Sequence, residues 1–340
     1  MTTEPLPLPS CDDRRVWDVW MSWYQFPALA VADDLGLFAL LEHAPLTQEG
    51  AAKELRLSPR SAEALLGVMT ALGFLEQRDG RFLNTEVSRN FLLPSSPYYW
   101  GGMIQFVRDL AITRETVKDV LVKDRPRGGS MDAMWETHEI KEEQARAFTA
   151  AMHTRSLHLG VAMARRIDFS GVRRFLDVAG GSGCFSIALA RQHPSVRCTV
   201  LELPTVCKIA REYVTRFGVG DRVDTVEANM FRDPWPQGYD VHFFSNIYHD
   251  WDRTRCLHLT RRSFEALPPG GRILIHEVLL DDAKDGPLVG VTDSLHMVFF
   301  TEGKQRTAGE FRELLEEAGF RDVKVTPTFA YYSVVEARKP

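Results

Sequence analysis

At 340 residues the chain exceeds the usual size of one hydrophobic core and points to two domains. Forty-one lysines and arginines face 46 aspartates and glutamates, and the formal charge of -5 gives no electrostatic reason to seek nucleic acid or an anionic membrane. Small-molecule partners are favoured. The amino-terminal stretch holds Pro5, Pro7, Pro9 and acidic side chains where a signal peptide needs a continuous apolar run, and no later segment reaches the length of about 18 apolar residues that a spanning helix needs. A cytoplasmic location is therefore expected. Cys11, Cys184, Cys198, Cys207 and Cys256 form no CxxC pair and read as buried, inert thiols rather than disulfides or a metal site; Cys184, after a glycine loop, is the candidate exception.

Residues 14–93 read as mostly helical. Val16, Val19, Trp20, Trp23 and Tyr24 recur at helical spacing, and 28–41 repeats the pattern. Ser58-Pro59 supplies a cap and first-turn proline for a helix carrying Ala62, Leu65, Leu66 and Met69, which should stop near Gly73. Phe74-Leu75-Glu76, the turn Arg78-Asp79-Gly80 and Phe82-Leu83 predict a small hairpin, so this part has the pattern of a winged helix. Between Pro45 and Leu93 the basic residues are balanced by acidic ones, whereas a DNA reader carries a basic excess. A structural, dimerising role is expected instead.

Residues 98–130 are less regular, with Tyr98, Tyr99 and Trp100 followed later by the breakers Arg125-Pro126-Arg127-Gly128-Gly129. A helix over about 131–167 then joins the halves. Its Phe148, Met152 and Ser156 share one face, as core packing or as a cofactor-pocket wall containing Met152. From Arg174 short apolar runs alternate with helices. Residues 175–178, 196–202, 239–245 and 272–277 predict parallel strands buried on both faces, and 323–326 with 329–337 predict an edge hairpin. The expected fold is α/β, a doubly wound and mostly parallel Rossmann-like sheet after an N-terminal helical winged-helix domain. The predicted boundaries are 1–97, 98–170 as a helical linker and acceptor-pocket region, and 171–340.

Asp177-Val178-Ala179-Gly180-Gly181-Ser182-Gly183 separates the first of these strands from a helix. Glycines there allow a sharp turn and close approach of backbone to ligand, and Glu202 ends the next strand where a carboxylate can accept bonds from both ribose hydroxyls. Those features bind a nucleoside without distinguishing a dinucleotide from S-adenosylmethionine. Ser186 stands where the dinucleotide fingerprint has its third small residue, and Asp177 would repel a pyrophosphate but attract the amino group of a methionine.

Together with Asn229-Met230-Phe231, Tyr248-His249-Asp250-Trp251-Asp252, Pro268-Pro269-Gly270-Gly271-Arg272 and Arg306-Thr307 through Phe320, these segments resemble the small-molecule methyltransferases of the plant and bacterial O-methyltransferase type. The resemblance covers nearly the whole chain. It implies a homodimer with intertwined amino-terminal helices and S-adenosylmethionine held at the carboxyl ends of the strands. Its glycine loop falls on Gly180, Gly181 and Gly183, and its ribose-binding acid on Glu202, beside Leu203. Near adenine it implies Asn229, a departure from the family's acidic residue, with Met230 and Phe231 as apolar contacts. Ser245 takes a position where the family often has lysine.

The resemblance gives His249 two readings. In the O-methylating members the matching histidine removes a proton from a phenolic or polyketide-like hydroxyl, and Glu277 could orient it. Alternatively His249, Asp250 and His296 form a facial triad for one divalent iron or zinc, as in the subgroup that C-methylates 2-oxo acids, the metal stabilising an enolate at C3. The sequence expectation favours this C-methylation, on an aromatic 2-oxo acid such as phenylpyruvate or indolepyruvate, with His249, Asp250, Glu277 and His296 as the catalytic group. Trp100, Phe106, Met297, Phe299 and Phe300 are candidate acceptor-pocket residues, equally explicable as core. Arg108, Arg125 and Arg127 have the chemistry of carboxylate clamps, although each reads more readily as a solvated or structural arginine.

Overall fold

A computed structural model describes residues 8–110, 112–127 and 141–340. Gly128, Gly129 and the expected helix start at 131–140 lie outside the described residues. The chain divides into two compact units, 1–110 and 111–340.

The first unit comprises α1 (Arg14–Ser22), α2 (Gln25–Asp34), α3 (Leu37–His43), α4 (Gln48–Glu54), α5 (Pro59–Ala71), the strands β1 (Leu75–Arg78) and β2 (Arg81–Asn84), α6 (Glu86–Phe91) and α7 (Gly101–Val107). The Ser58 hydroxyl accepts from the Ser61 N-H at the start of α5, as the Ser-Pro signal predicts. Asp79 and Gly80 both take positive φ and join the antiparallel strands through a two-residue turn. The pattern over 28–41 resolves into two helices, because Gly36 at φ 69° breaks it. Leu37, Phe38, Leu66, Met69 and Phe82 form the core. In α1 no residue is buried.

The second unit opens with α8 (Arg114–Lys123) and the long α9 (Glu142–Arg166). Then follow β3 (Arg174–Val178), α10 (Cys184–Gln192), β4 (Arg197–Glu202), α11 (Pro204–Arg216), β5 (Val223–Glu227), β6 (Val241–Ser245), a single 3-10 turn (Tyr248–Asp250) and α12 (Arg253–Ala266). The chain closes with β7 (Arg272–Leu280), α13 (Leu288–Phe300), the short β8 (Arg306–Thr307), α14 (Ala308–Glu317), β9 (Arg321–Phe329) and β10 (Tyr332–Arg338). Strand order is β5-β4-β3-β6-β7-β10-β9, with β8 beside β7. Pairings from β5 to β7 are parallel, and β10 is antiparallel to both β7 and β9. This is the expected Rossmann-like sheet with an antiparallel edge.

Order reverses between β4 and β6 on either side of β3, so the carboxyl ends of β3, β4 and β6 flank a crevice where such sheets bind ligands. Strand β5 has no counterpart in the sequence reading. Only Val223 and Val226 of its five residues are aliphatic, and as an edge strand it is largely uncovered. Helix α9 packs on α10, where a Cβ at Gly160 would lie 3.1 Å from the Cys184 carbonyl oxygen and 3.2 Å from Ala188 Cβ. Glycine lets the two backbones meet, which places α9 beside the glycine loop.

Candidate active site

The loop after β3 is built around a buried carboxylate. Asp177 accepts from the Ser186 hydroxyl at 2.8 Å, and desolvation pushes its acid up to about 7. A Cβ at Gly180 would fall 2.5 Å from the Asp177 carboxyl carbon, so only glycine passes there. Gly183 enters α10 at φ 72° with Val200 3.0 Å from where its Cβ would be. Ser182 is fastened to α9 by His153 Nδ1, 2.8 Å from its hydroxyl.

Glu202, at the end of β4, is buried. Its Oε1 accepts from the Gly181 N-H at 3.2 Å and its Oε2 from the Leu203 N-H at 2.7 Å, while desolvation lifts its acid to about 7. Each oxygen keeps a lone pair for a ribose hydroxyl. Asn229 Oδ1 accepts from the Phe231 N-H at 2.8 Å and so shapes the turn after β5. Met230 is buried, Phe231 stands edge-on to Trp251 with ring centroids 4.9 Å apart, and Met152 is half-buried on α9. Ser245 holds His276 Nδ1 at 2.9 Å. A carboxylate with free lone pairs beside a glycine loop and a helix amino terminus fits the nucleoside and methionine ends of S-adenosylmethionine.

His249 lies on the 3-10 turn after β6, buried, its basicity held well below that of a free imidazole by desolvation and then by the nearby Arg155 cation. It is neutral at pH 7. Its Nδ1 is 3.3 Å from Glu277 Oε2 and 2.8 Å from the Gln305 amide, whose nitrogen also donates to Asp293 Oδ2 at 2.7 Å. Glu277 Oε1 accepts from the Ile247 and Tyr248 N-H groups, both at 3.1 Å. Its Oε2 and the Gln305 carbonyl oxygen are buried without a hydrogen bond among the described residues. Nδ1 accepts from the Gln305 nitrogen in one tautomer; in the other, a proton on Nδ1 faces Glu277 Oε2 and frees the Nε2 lone pair for a substrate proton.

The turn is held from behind by Arg306, which donates to the Tyr248 carbonyl at 2.6 Å and the Trp251 carbonyl at 2.7 Å. In front lies Arg155 of α9, whose Nη2 donates to Asn246 Oδ1 at 2.9 Å and to the Tyr332 hydroxyl at 2.7 Å. Gln305 and Arg155 escaped the sequence reading. Each meets the site only through folding of distant segments, and neither residue type stands out in its own stretch.

The expected metal triad is not assembled. Among the described residues no three His, Cys, Asp or Glu side chains converge as a metal-binding group. Asp250 Oδ1 is 3.6 Å from His249 Nε2, His249 Nδ1 faces Glu277 and Gln305, and His296 on α13 packs against Phe300 with ring centroids 4.6 Å apart. The residues present do not fit a facial triad. Of the pocket candidates in this unit, Met297 and Phe299 are buried, and Arg127 lies over the Phe299 ring. Arg125 is exposed. Trp100, Phe106 and Arg108 belong to the first unit, where Trp100 packs on the core and Arg108 pairs with Asp34 at 2.7 Å. Cys184 is buried and its thiol pushed up to about 12 by desolvation, which makes it inert.

Residues 116–321 match the O-methyltransferase domain family, and residues 17–94 match the O-methyltransferase dimerisation domain. The chain is 36% identical over 308 residues to the 3-hydroxy-5-methyl-1-naphthoate 3-O-methyltransferase of Streptomyces sahachiroi, covering 90% of this chain and 89% of that protein. It is 30% identical over 323 residues to the acetylserotonin O-methyltransferase of Bos taurus, covering 92% and 93%. The crystal structure of human N-acetylserotonin methyltransferase in complex with S-adenosylmethionine superposes with a TM-score of 0.83 at 29% identity, covering 98% of this chain and 99% of that one. The chain belongs to the S-adenosylmethionine-dependent O-methyltransferase family that carries an amino-terminal dimerisation domain.

Proposed function

We propose that the protein methylates a hydroxyl of an aromatic small molecule, with His249 as the general base and no catalytic metal. The observation that carries this reading is a neutral, buried imidazole with Nδ1 turned to Glu277 Oε2 at 3.3 Å. The O-methylating relatives, one of them acting on a hydroxynaphthoate, support a phenolic acceptor. C-methylation of a 2-oxo acid through a metal-bound enolate, the sequence expectation, has no assembled ligand set behind it.

Bound S-adenosylmethionine supplies an electrophilic methyl group on a positively charged sulfur. Gly180, Gly181 and Gly183 let backbone approach it, Glu202 holds the ribose, and Asn229, Met230 and Phe231 sit at the adenine end. His249 Nε2 would take the proton of the acceptor hydroxyl as its oxygen bonds to the methyl carbon and the methyl–sulfur bond breaks to leave S-adenosylhomocysteine, with Glu277 Oε2 3.3 Å from Nδ1 facing the imidazolium so formed. Burial of the turn keeps bulk water from the proton transfer. Two copies associate through the dimerisation domain.

Enzyme stripped with a chelator should be incubated with S-adenosylmethionine and either 2-naphthol, 3-hydroxy-2-naphthoate or phenylpyruvate, and the products identified by mass spectrometry. Methyl ethers of the hydroxyarenes, formed at the same rate with and without chelator, are expected. A C-methylated oxo acid whose formation stops on chelation and returns with iron or zinc would overturn the proposal.

A further inference from the structure

We infer that Arg155 is the receptor for an anionic substituent, a carboxylate, on the methyl acceptor. The inference rests on the hydroxyarene reading above and deepens it. Arg155 sits on α9 one turn after Met152, on the same face, so it stands between the cofactor wall and the His249 turn. Its Nη2 is engaged by Asn246 Oδ1 at 2.9 Å and the Tyr332 hydroxyl at 2.7 Å, and that hydroxyl in turn donates to Asn246 Oδ1 at 3.0 Å. The three groups form a closed ring that fixes the guanidinium plane.

Both partners of Nη2 are neutral. Among the described residues no carboxylate lies within ion-pair distance of Arg155, and its Nη1 and Nε donors carry no hydrogen bond. Neither donor is a fully buried, unsatisfied group. Asn246 ties Arg155 to the segment that carries His249, close enough for the Arg155 cation to lower the basicity of the imidazole. A fixed, desolvated guanidinium with spare donors and no carboxylate in direct contact, its acidic neighbours Asp293 and Glu277 acting on it only through space, is an arrangement able to recognise a carboxylate. The other arginines of this site contrast with it: Arg306 is closed off by the carbonyls of Tyr248 and Trp251. A carboxylate on Arg155 would anchor one edge of the arene and leave its hydroxyl to be presented to His249.

The test is equilibrium binding to enzyme saturated with S-adenosylhomocysteine, followed by calorimetry, because it needs no turnover. 1-Naphthoate, its neutral isostere 1-naphthamide and 2-naphthol are the probes. Wild type should bind 1-naphthoate at least tenfold tighter than 1-naphthamide, and R155Q should abolish that preference while leaving the affinity for 2-naphthol within about twofold. R155K, which keeps the charge but loses the fixed fork, should fall between. Should R155Q not retain S-adenosylhomocysteine binding, the wild-type preference and R155K decide the question. Equal affinity of wild type for 1-naphthoate and 1-naphthamide overturns the inference, as does a parallel loss of naphthoate and naphthol binding in R155Q, which would mark Arg155 as merely holding the Asn246 turn. Failure of hydroxyarene methylation would count against the proposed reaction and leave these binding outcomes to decide the role of Arg155.

Discussion

Glu202 carries its carboxyl in the free enzyme at about 7, lifted by burial and only partly lowered by two backbone N-H donors. Ribose hydroxyls prefer the ionised acid, so binding of S-adenosylhomocysteine should release a proton and tighten as pH rises from 6 to 8. The sign follows from the raised value, since below it the acid is neutral and a charge-assisted bond is lost. E202Q should bind more weakly by about 1.5 to 3 kcal/mol at pH 8 and lose that pH dependence, which titration calorimetry at several pH values will show. A second residue-scale prediction concerns His249: H249A should lower kcat by about 10²- to 10⁴-fold with cofactor affinity unchanged. Q305L should lower kcat less, by roughly tenfold for a lost orienting contact, again without loss of cofactor affinity. His249 and Glu277 were open to sequence reading because His249 follows β6 and Glu277 lies within β7, each in a recognisable motif. Gln305 was not, since it lies 56 positions along the chain from His249 and only the packing of β8 beside β7 brings its amide there.

Elements were legible in proportion to how one-sided their environments are. Strands β3, β6 and β7 are buried along nearly their whole length and announce themselves as continuous apolar runs, while β5 lies at the sheet edge and reads as ordinary polar loop. The terminal hairpin was also legible, but the insertion of β10 between β7 and β9 is long-range pairing that no local pattern encodes. The junction of α9 and α10 offers a test of how elements position the site. A Cβ at Gly160 meets the Cys184 carbonyl oxygen at 3.1 Å and Phe185 Cα at 3.2 Å, all in the first turn behind the glycine loop. G160V should therefore cost about 1 to 3 kcal/mol of stability through overpacking, read from the urea midpoint. It should also weaken S-adenosylhomocysteine binding, because the displaced turn is the one that presents Gly183. Unchanged cofactor affinity in a destabilised G160V would mean that α9 supports the domain without setting the loop.

At the scale of the whole molecule, the most conspicuous feature is a helix whose apolar side chains are left uncovered among the described residues. Trp17, Trp20 and Trp23 in and after α1 are 49%, 55% and 70% exposed, and Val16 and Val19 are more exposed still. An aromatic side chain buries about 150–250 Å² when covered, so a stretch of this kind is a poor solvent-facing surface and a good protein interface. The helix-spaced tryptophans were visible in the sequence, but their exposure was not, because the same pattern fits a helix packed within its own domain. The match of residues 17–94 to an O-methyltransferase dimerisation domain points to a second copy as the partner. Sedimentation at micromolar concentration should give a dimer, and the double variant W17E/W20E should shift the equilibrium toward monomer by at least a hundredfold in Kd, since it would place two carboxylates in a desolvated interface. Because α1 contributes no buried residue to the first unit's core, the monomer should retain its far-ultraviolet circular dichroism. A variant that stays dimeric at nanomolar concentration would move the interface away from α1, and one that unfolds outright would show that the first unit depends on its partner for stability.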